Sequence, residues 1–201
     1  MIKVQPDLSD VRDMLKEFTR GKELARVIGR TLNRTRASTK SASSRLLRKR
    51  INLKKSVIDQ AIDTRRGTQE IQTLSALAYG RAWFEIIWSG SPFPLRDFGA
   101  SKNSRGVSFK VSRQSRRKVY ELQGRKGFIL PSRGGHVFVR TGPNPPGPKK
   151  APIKKVYGPS IPQFAVTKRE QRAIIEHARK FWGEELTRNL RFALERRNRR
   201  K

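Results

Sequence analysis

The sequence predicts an α+β protein with N-terminal helices, a small antiparallel β-sheet or barrel, and a long C-terminal amphipathic helix. Apolar residues recur at helical spacing in the first third of the chain and again near its C-terminus. Between these regions, short segments alternate apolar and polar residues, and Gly, Pro and Ser separate them, which is typical of antiparallel strands. We expect residues 1–66, 67–166 and 167–201 to form three regions of one structural unit.

The N-terminal region is predicted to contain three helices. Ser9 can cap a short first helix, and a second begins near Lys22 and continues to about Ile51. The middle of this second helix is small and polar, so it either allows a neighbouring backbone or subunit to approach closely or faces solvent. Asn52 is a candidate N-cap for the third helix. The predicted buried stripe of that helix is Val57, Ile58, Ala61 and Ile62.

The central region is predicted to contain six short strands. They cover residues 71–76, 83–88, 107–112, 119–122, 128–130 and 137–139. A Pro-rich segment, residues 141–150, follows them and excludes both a helix and a central strand. We interpret this segment as an extended spacer, although Pro-rich segments also bind SH3-like grooves.

The C-terminal helix is predicted to cover about residues 167–197. Thr167 and Glu170 have the spacing of a capping box, in which each side chain bonds the backbone N–H of the other residue. A stripe of apolar residues then recurs at every fourth position: Ile174, Ala178, Trp182, Leu186, Leu190 and Leu194.

The net charge of the chain favours a polyanionic partner. Its 47 Lys and Arg residues against 16 Asp and Glu residues give a formal charge of +31. DNA, RNA, an acidic protein surface or anionic lipid could each balance this charge. Hydrophobic residues make up 35% of the chain, below the usual share of about 45–50%, a share that also counts Gly. We therefore expect a thin core that neighbouring subunits help to bury.

The sequence lacks the motifs of an enzyme, a metal site or a membrane span. There is no cysteine, and the two histidines, His136 and His177, lie far apart in the chain, so we expect both to be structural. Glu85, Asp97 and Glu121 are isolated, whereas a metal-dependent nuclease needs clustered carboxylates. No apolar run reaches the roughly 18 residues that a bilayer span needs. We therefore predict no catalytic residue, no metal, no cofactor and no membrane partner.

Basic residues form three groups that we expect to contact DNA or a protein partner. No zinc finger, RNP motif or helix-turn-helix accompanies them, so the predicted contact is with phosphate and not with bases. The alternative is ion pairing with acidic neighbours in an assembly. The groups are Arg45, Arg48, Lys49, Arg50, Lys54 and Lys55; Arg113, Arg116, Arg117 and Lys118; and Arg196, Arg197, Arg199 and Arg200.

Several segments, taken in order, resemble the minor tail protein Z family of tailed bacteriophages, also called tail completion proteins. They are Thr31-Leu32-Asn33-Arg34-Thr35, the basic stretch at 48–57, the strands at 106–111 and 127–129, Val139-Arg140-Thr141-Gly142, and the segment at 151–162. The last of these is the most specific, and a long basic helix follows it.

The resemblance implies a structural protein of the virion, made in the bacterial host cytoplasm. Its role would be to finish the head-proximal end of the tail, so that the tail joins the capsid and DNA can pass. It implies a homo-oligomeric ring between the tail tube and other neck and connector proteins. In this setting Gly158, Pro159 and Pro162 would fix a backbone turn before the last helix.

Two alternatives belong to other functional classes. A nucleic-acid-binding protein of a cellular ribonucleoprotein, such as a ribosomal protein, would have a similar composition and similar basic tails. A nuclease would require Glu85, Asp97 and Glu121 to converge in space. Cross-links to one structured RNA would favour the first alternative, and metal-dependent DNA cleavage would favour the second.

Overall fold

The computed structural model describes residues 2–4, 21–68, 82–88, 90–143, 151–164 and 167–199. It confirms the predicted α+β class. Contacts divide the chain into two compact units. The first, here called the helical unit, comprises Met1–Arg45, Ile62–Trp88 and Val166–Lys201, and the second, the β unit, comprises Leu46–Ala61 and Ser89–Ala165.

Two long helices dominate the helical unit, and both were predicted. Helix α1 covers Gly21–Arg50 and the C-terminal helix, numbered α3 below, covers Lys168–Asn198. Helix α3 begins with the predicted capping box: the Glu170 backbone N–H donates to Thr167 Oγ1, and the Thr167 N–H donates to Glu170 Oε2 at 2.8 Å. Of its apolar stripe, residues 174–190 are buried, whereas Leu194 is half-buried.

Helices α1 and α3 pack against each other in antiparallel directions. Asn189 Nδ2 donates to Thr31 Oγ1 at 3.0 Å, and Ser38 Oγ lies 3.0 Å from His177 Nε2. Residue numbers therefore increase along α1 in the direction in which they decrease along α3. Most small polar residues of α1 are buried, namely Thr31, Thr35, Thr39, Ser43 and Ser44, whereas Ser41 is exposed. The buried positions therefore pack closely, and the solvent-exposed alternative is wrong for them.

The helical unit also contains a three-stranded antiparallel sheet. Its strands are β1 (Ile2–Val4), β2 (Ile62–Thr68) and β3 (Ala82–Trp88), with β3 in the centre. Strand β3 confirms one prediction, whereas β2 corrects another, because Ile62 was expected to belong to the buried stripe of the third helix. The buried Ile62 and the exposed Asp63 begin an alternation that matches a strand paired along its whole length with β3.

The β unit consists of short elements. Helix α2 covers Lys55–Ala61. Three strands form one sheet, β4 (Ser101–Asn103), β5 (Gly106–Phe109) and β6 (Lys118–Val119). Strands β7 (Glu121–Leu122) and β8 (Arg125–Lys126) form a hairpin. A third sheet joins β9 (Phe128–Leu130), β10 (His136–Arg140) and β11 (Ile153–Lys155).

The predicted strands of the β unit are confirmed where the sequence alternates or is apolar, in β5, β9 and β10. Strands β9 and β10 were predicted, and β5 ends at Phe109, three residues before the predicted end. The predicted strand at 119–122 is two strands, β6 and β7, separated at Tyr120. Three 3₁₀ turns connect elements of this unit, at Leu95–Phe98, Pro131–Arg133 and Pro162–Phe164.

Some predictions fall outside the described residues. They are the helix capped by Ser9, the strand at 71–76, most of the Pro-rich segment and Arg200. At the base of the Pro-rich segment, the Thr141 backbone N–H donates to the Pro152 carbonyl at 2.8 Å, so the two ends of this loop are joined. Within the described ranges, no helix has an apolar stretch sufficient to cross a lipid bilayer.

Candidate nucleic-acid interface

The first basic group lies where α1 ends and α2 begins. Ile51 and Leu53 are buried between the basic residues, so the connecting segment is anchored in the core of the β unit. Asn52 does not cap a helix as predicted, because α2 begins at Lys55. Instead, Asn52 Nδ2 donates to the carbonyls of Phe98 at 3.3 Å and Lys110 at 3.0 Å. This amide ties the segment to the end of β5.

The second basic group lies on the loop between β5 and β6. A turn shapes this loop, because the Ser115 hydroxyl donates to the Ser112 carbonyl at 2.9 Å. Two backbone bonds join the loop to the first group: Asn52 N–H to Val111 C=O at 2.9 Å and Arg113 N–H to Arg50 C=O at 2.8 Å. The structure therefore brings together two groups that are far apart in sequence.

We call the result the composite basic surface. Its members are Arg48, Lys49, Arg50, Lys54, Lys55, Arg113, Arg116 and Lys118. All of these side chains are exposed except that of Arg48, which is half-buried. Exposed Lys and Arg side chains on adjacent segments can neutralise several phosphates at once, without any contact to base edges.

Few acidic residues belong to the unit that carries the composite basic surface. Only three of the 16 acidic residues in the chain belong to the β unit, Asp59, Asp97 and Glu121. Asp59 pairs with Lys55 at 3.0 Å, and Asp97 pairs with the neighbouring Arg96 at 3.3 Å. Because most acidic residues of the chain lie in the helical unit, the β unit has the higher density of net positive charge.

Arg117 differs from its neighbours, although it belongs to the predicted second group. Its Nη2 donates to the Gly99 carbonyl at 2.7 Å, to Ser101 Oγ at 2.8 Å and to the Ser108 carbonyl at 3.0 Å, and its Nε donates to Ser108 Oγ at 3.2 Å. The guanidinium therefore braces β4 and β5, and few of its donors remain for phosphate. Nothing in the local sequence distinguishes Arg117 from Arg116.

The remaining members of the three predicted basic groups lie in the helical unit. Arg45 is exposed on α1, and Arg196, Arg197 and Arg199 lie at the end of α3. Because α1 and α3 are antiparallel, with Thr31 beside Asn189, Arg45 and the end of α3 lie at opposite ends of the helix pair. The structure therefore separates Arg45 from the third group.

Both histidines have structural surroundings. His177 stacks on the Phe181 ring with a centroid separation of 6.0 Å, in addition to its contact with Ser38. His136 Nε2 lies 3.2 Å from Lys155 Nζ. Partial burial, together with the nearby Arg96 and Lys155 cations, outweighs the opposing effect of Asp97 and lowers the pKa of His136, which favours the neutral imidazole.

The three isolated carboxylates occupy different elements. Glu85 is half-buried on β3, Asp97 is in a 3₁₀ turn, and Glu121 is exposed on β7. In the part of the chain that the structure describes, no three His, Asp or Glu residues are grouped so that they could hold a metal ion. The sequence did not predict a role for Glu185, an acidic residue that is buried on α3 beside the apolar stripe.

Of the predicted turn residues, Gly158 packs against two aromatic residues of the β unit, Phe93 and Phe98. The Gly158 N–H donates to the Phe93 carbonyl at 2.7 Å. A Cβ on Gly158 would lie only 2.4 Å from Cε2 of the buried Phe98, so this position requires glycine because of close approach. Pro159 follows directly, and Pro162 begins the 3₁₀ turn Pro162–Phe164, which precedes α3 in the chain.

No protein-family model, curated protein or solved structure matches the chain. The resemblance to tail completion proteins thus stays a prediction that depends on the segments quoted above. Chemically, the composite basic surface can bind phosphate groups through flexible cations, and its affinity would depend strongly on salt concentration.

Proposed function

We propose that this chain is a structural virion protein of the phage neck or tail. In this proposal it completes the head-proximal end of the tail, supports head-tail joining and contacts passing DNA without catalysing a reaction. It acts as a homo-oligomeric ring, together with neck, connector and tail-tube proteins. The observation that carries the DNA contact is the convergence of two basic groups on the β unit, joined by the Arg113–Arg50 backbone bond.

The chemistry of the composite basic surface suits a partner of variable sequence. A genome that passes through a joint presents every base sequence in turn, so contacts must be limited to the phosphates that all sequences share. Lys and Arg side chains on a loop and a helix end provide such contacts. The low apolar content of the chain is consistent with a subunit that buries further surface in an assembly.

The proposal is tested by the location and the oligomeric state of the protein. Purified full-length protein would be measured by light scattering and imaged by negative-stain electron microscopy, and intact phage particles would be cross-linked and analysed by mass spectrometry. We expect ring-shaped oligomers and cross-links to tail and connector proteins. A monomer that is absent from mature particles would refute the proposal, and cross-links to one structured RNA would support the ribonucleoprotein alternative.

A further inference from the structure

The helical unit has a second surface, which the proposed function does not use. Phe192 on α3 is 56% exposed, the highest exposure among the large apolar residues that the structure describes. It borders a concavity of about 670 Å³ between α1 and α3. Arg30, Asn33 and Arg34 line the concavity from α1, and Arg188 and Asn189 line it from α3.

A buried carboxylate orients the arginines of this concavity. Glu185 has a side chain that is 7% exposed, and its Oε2 accepts hydrogen bonds from Arg34 Nη1 at 3.3 Å and Arg188 Nη2 at 2.7 Å. The Arg34 and Arg188 side chains are 58% and 59% exposed, so each guanidinium is held at one end and open to solvent at the other. Such fixed planar forks match the geometry of a carboxylate or a phosphate.

A second concavity, of about 830 Å³, shares Phe192 and Arg188 with the first and decides between these two anions. It is lined by Arg179, Lys180 and Arg191 but also by Glu184 and Glu195. The two glutamates would repel a continuous chain of phosphates, whereas a polypeptide can place residues of either sign opposite them. On the composite basic surface of the β unit, Asp59 pairs with Lys55, and the other two acidic residues of that unit lie on other elements.

We propose that this surface, formed by Phe192 with Arg30, Arg34 and Arg188, binds an acidic segment of a partner protein. The partner places an apolar side chain against Phe192 and carboxylates against the Arg34 and Arg188 guanidiniums. Exposed aromatic and arginine side chains together are typical of the centres of protein–protein interfaces. This contact is independent of the DNA contact, since it uses the helical unit alone.

Peptide binding to the full-length protein tests the proposal. One labelled probe is an amphipathic peptide with Leu and Glu at helical spacing and with Lys placed to face Glu184 and Glu195, and its matched control has every Leu replaced by Ser. We expect the wild type to bind the Leu peptide about tenfold more tightly than the Ser peptide, as the burial of an apolar anchor requires. Phe192→Ser should abolish this preference, whereas Arg116→Gln, which alters the β unit, should retain it.

Three outcomes would overturn the proposal. The wild type could show no preference for the Leu peptide, or the preference could survive Phe192→Ser. In the third, Phe192→Ser would weaken binding of single-stranded oligo(dT) about tenfold and leave peptide binding unchanged, which would indicate a site where bases stack on the ring. Because Phe192 is exposed, the variant should retain the circular dichroism spectrum and the melting temperature of the wild type, and this is checked first.

Discussion

Two adjacent arginines are expected to respond in opposite ways to replacement by alanine. Arg117→Ala removes four hydrogen bonds, one to Gly99 and three to β4 and β5, with lengths of 2.7 to 3.2 Å. Arg116→Ala removes an exposed side chain. A hydrogen bond to a charged group contributes about 1.5–3 kcal/mol when it is shielded from water. Arg117 is exposed, and water can replace it at the freed acceptors, so we expect a total loss of about 1–2 kcal/mol.

Urea unfolding, followed by circular dichroism, measures this difference. With a urea dependence of about 2 kcal/mol per molar, Arg117→Ala should lower the unfolding midpoint by roughly 0.5–1 M. Arg116→Ala should change the free energy of unfolding by no more than about 0.5 kcal/mol. Hydrogen exchange of peptides from β4 and β5 assigns the effect to the β unit, because these peptides should exchange faster only in Arg117→Ala.

DNA binding by the same variants provides the opposite contrast. Arg116→Ala should weaken binding and reduce the slope of log affinity against log salt concentration by about 0.9, the value for one lost phosphate contact. Arg117→Ala should change this slope little. Equal unfolding midpoints for the two variants, or a flatter salt slope for Arg117→Ala alone, would refute the assignment of Arg117 as a brace.

Three further predictions concern packing and pH. Gly158→Ala should destabilise the protein by about 1–3 kcal/mol in urea unfolding, because its Cβ would overlap the Phe98 ring. Gly90→Ala, which has open space around it, should not destabilise the protein, and equal unfolding midpoints for the two variants would contradict the packing described. Gly183→Ala should raise the melting temperature, since nothing lies within 4 Å and alanine favours a helix by up to about 1 kcal/mol; a lower melting temperature would contradict this. The lowered pKa of His136 means that the unfolded chain binds a proton first as the pH falls, so the wild type should lose stability between pH 7 and pH 5. His136→Gln should lose less over that interval, and equal losses in urea titrations at the two pH values would rule out this contribution.

Local patterns predicted the helices well and the edge strands poorly. Helices α1 and α3 are long and periodic, and the capping box at Thr167 is encoded within four residues. Strands β8 and β11 consist largely of Lys and Arg, so they lack the alternation that identifies a strand, and only their pairing, β8 with β7 and β11 with β10, defines them. Asn52 has the residue type of an N-cap, but carbonyls from other elements accept its hydrogen bonds.

The candidate site could be predicted as separate groups but not as a surface. Composition and charge runs locate the basic residues, whereas the Arg113–Arg50 backbone bond that joins two of the groups is a long-range contact. Likewise, the sequence gives no sign that Arg117 bonds to the sheet or that Glu185 is buried beneath two arginines. These roles depend on which elements lie opposite each residue, and local propensity does not contain that information.

The salt dependence of double-stranded DNA binding tests the central claim most directly. Two variants each remove two positive charges: Arg113→Gln with Arg116→Gln on the composite basic surface, and Arg169→Gln with Arg172→Gln at exposed positions on α3. We expect the first to reduce the slope of log affinity against log salt by roughly 1.8, for DNA of any sequence, and the second to leave it unchanged. Equal slopes for the two variants, or a strong preference for one DNA sequence, would contradict a phosphate-binding surface on the β unit.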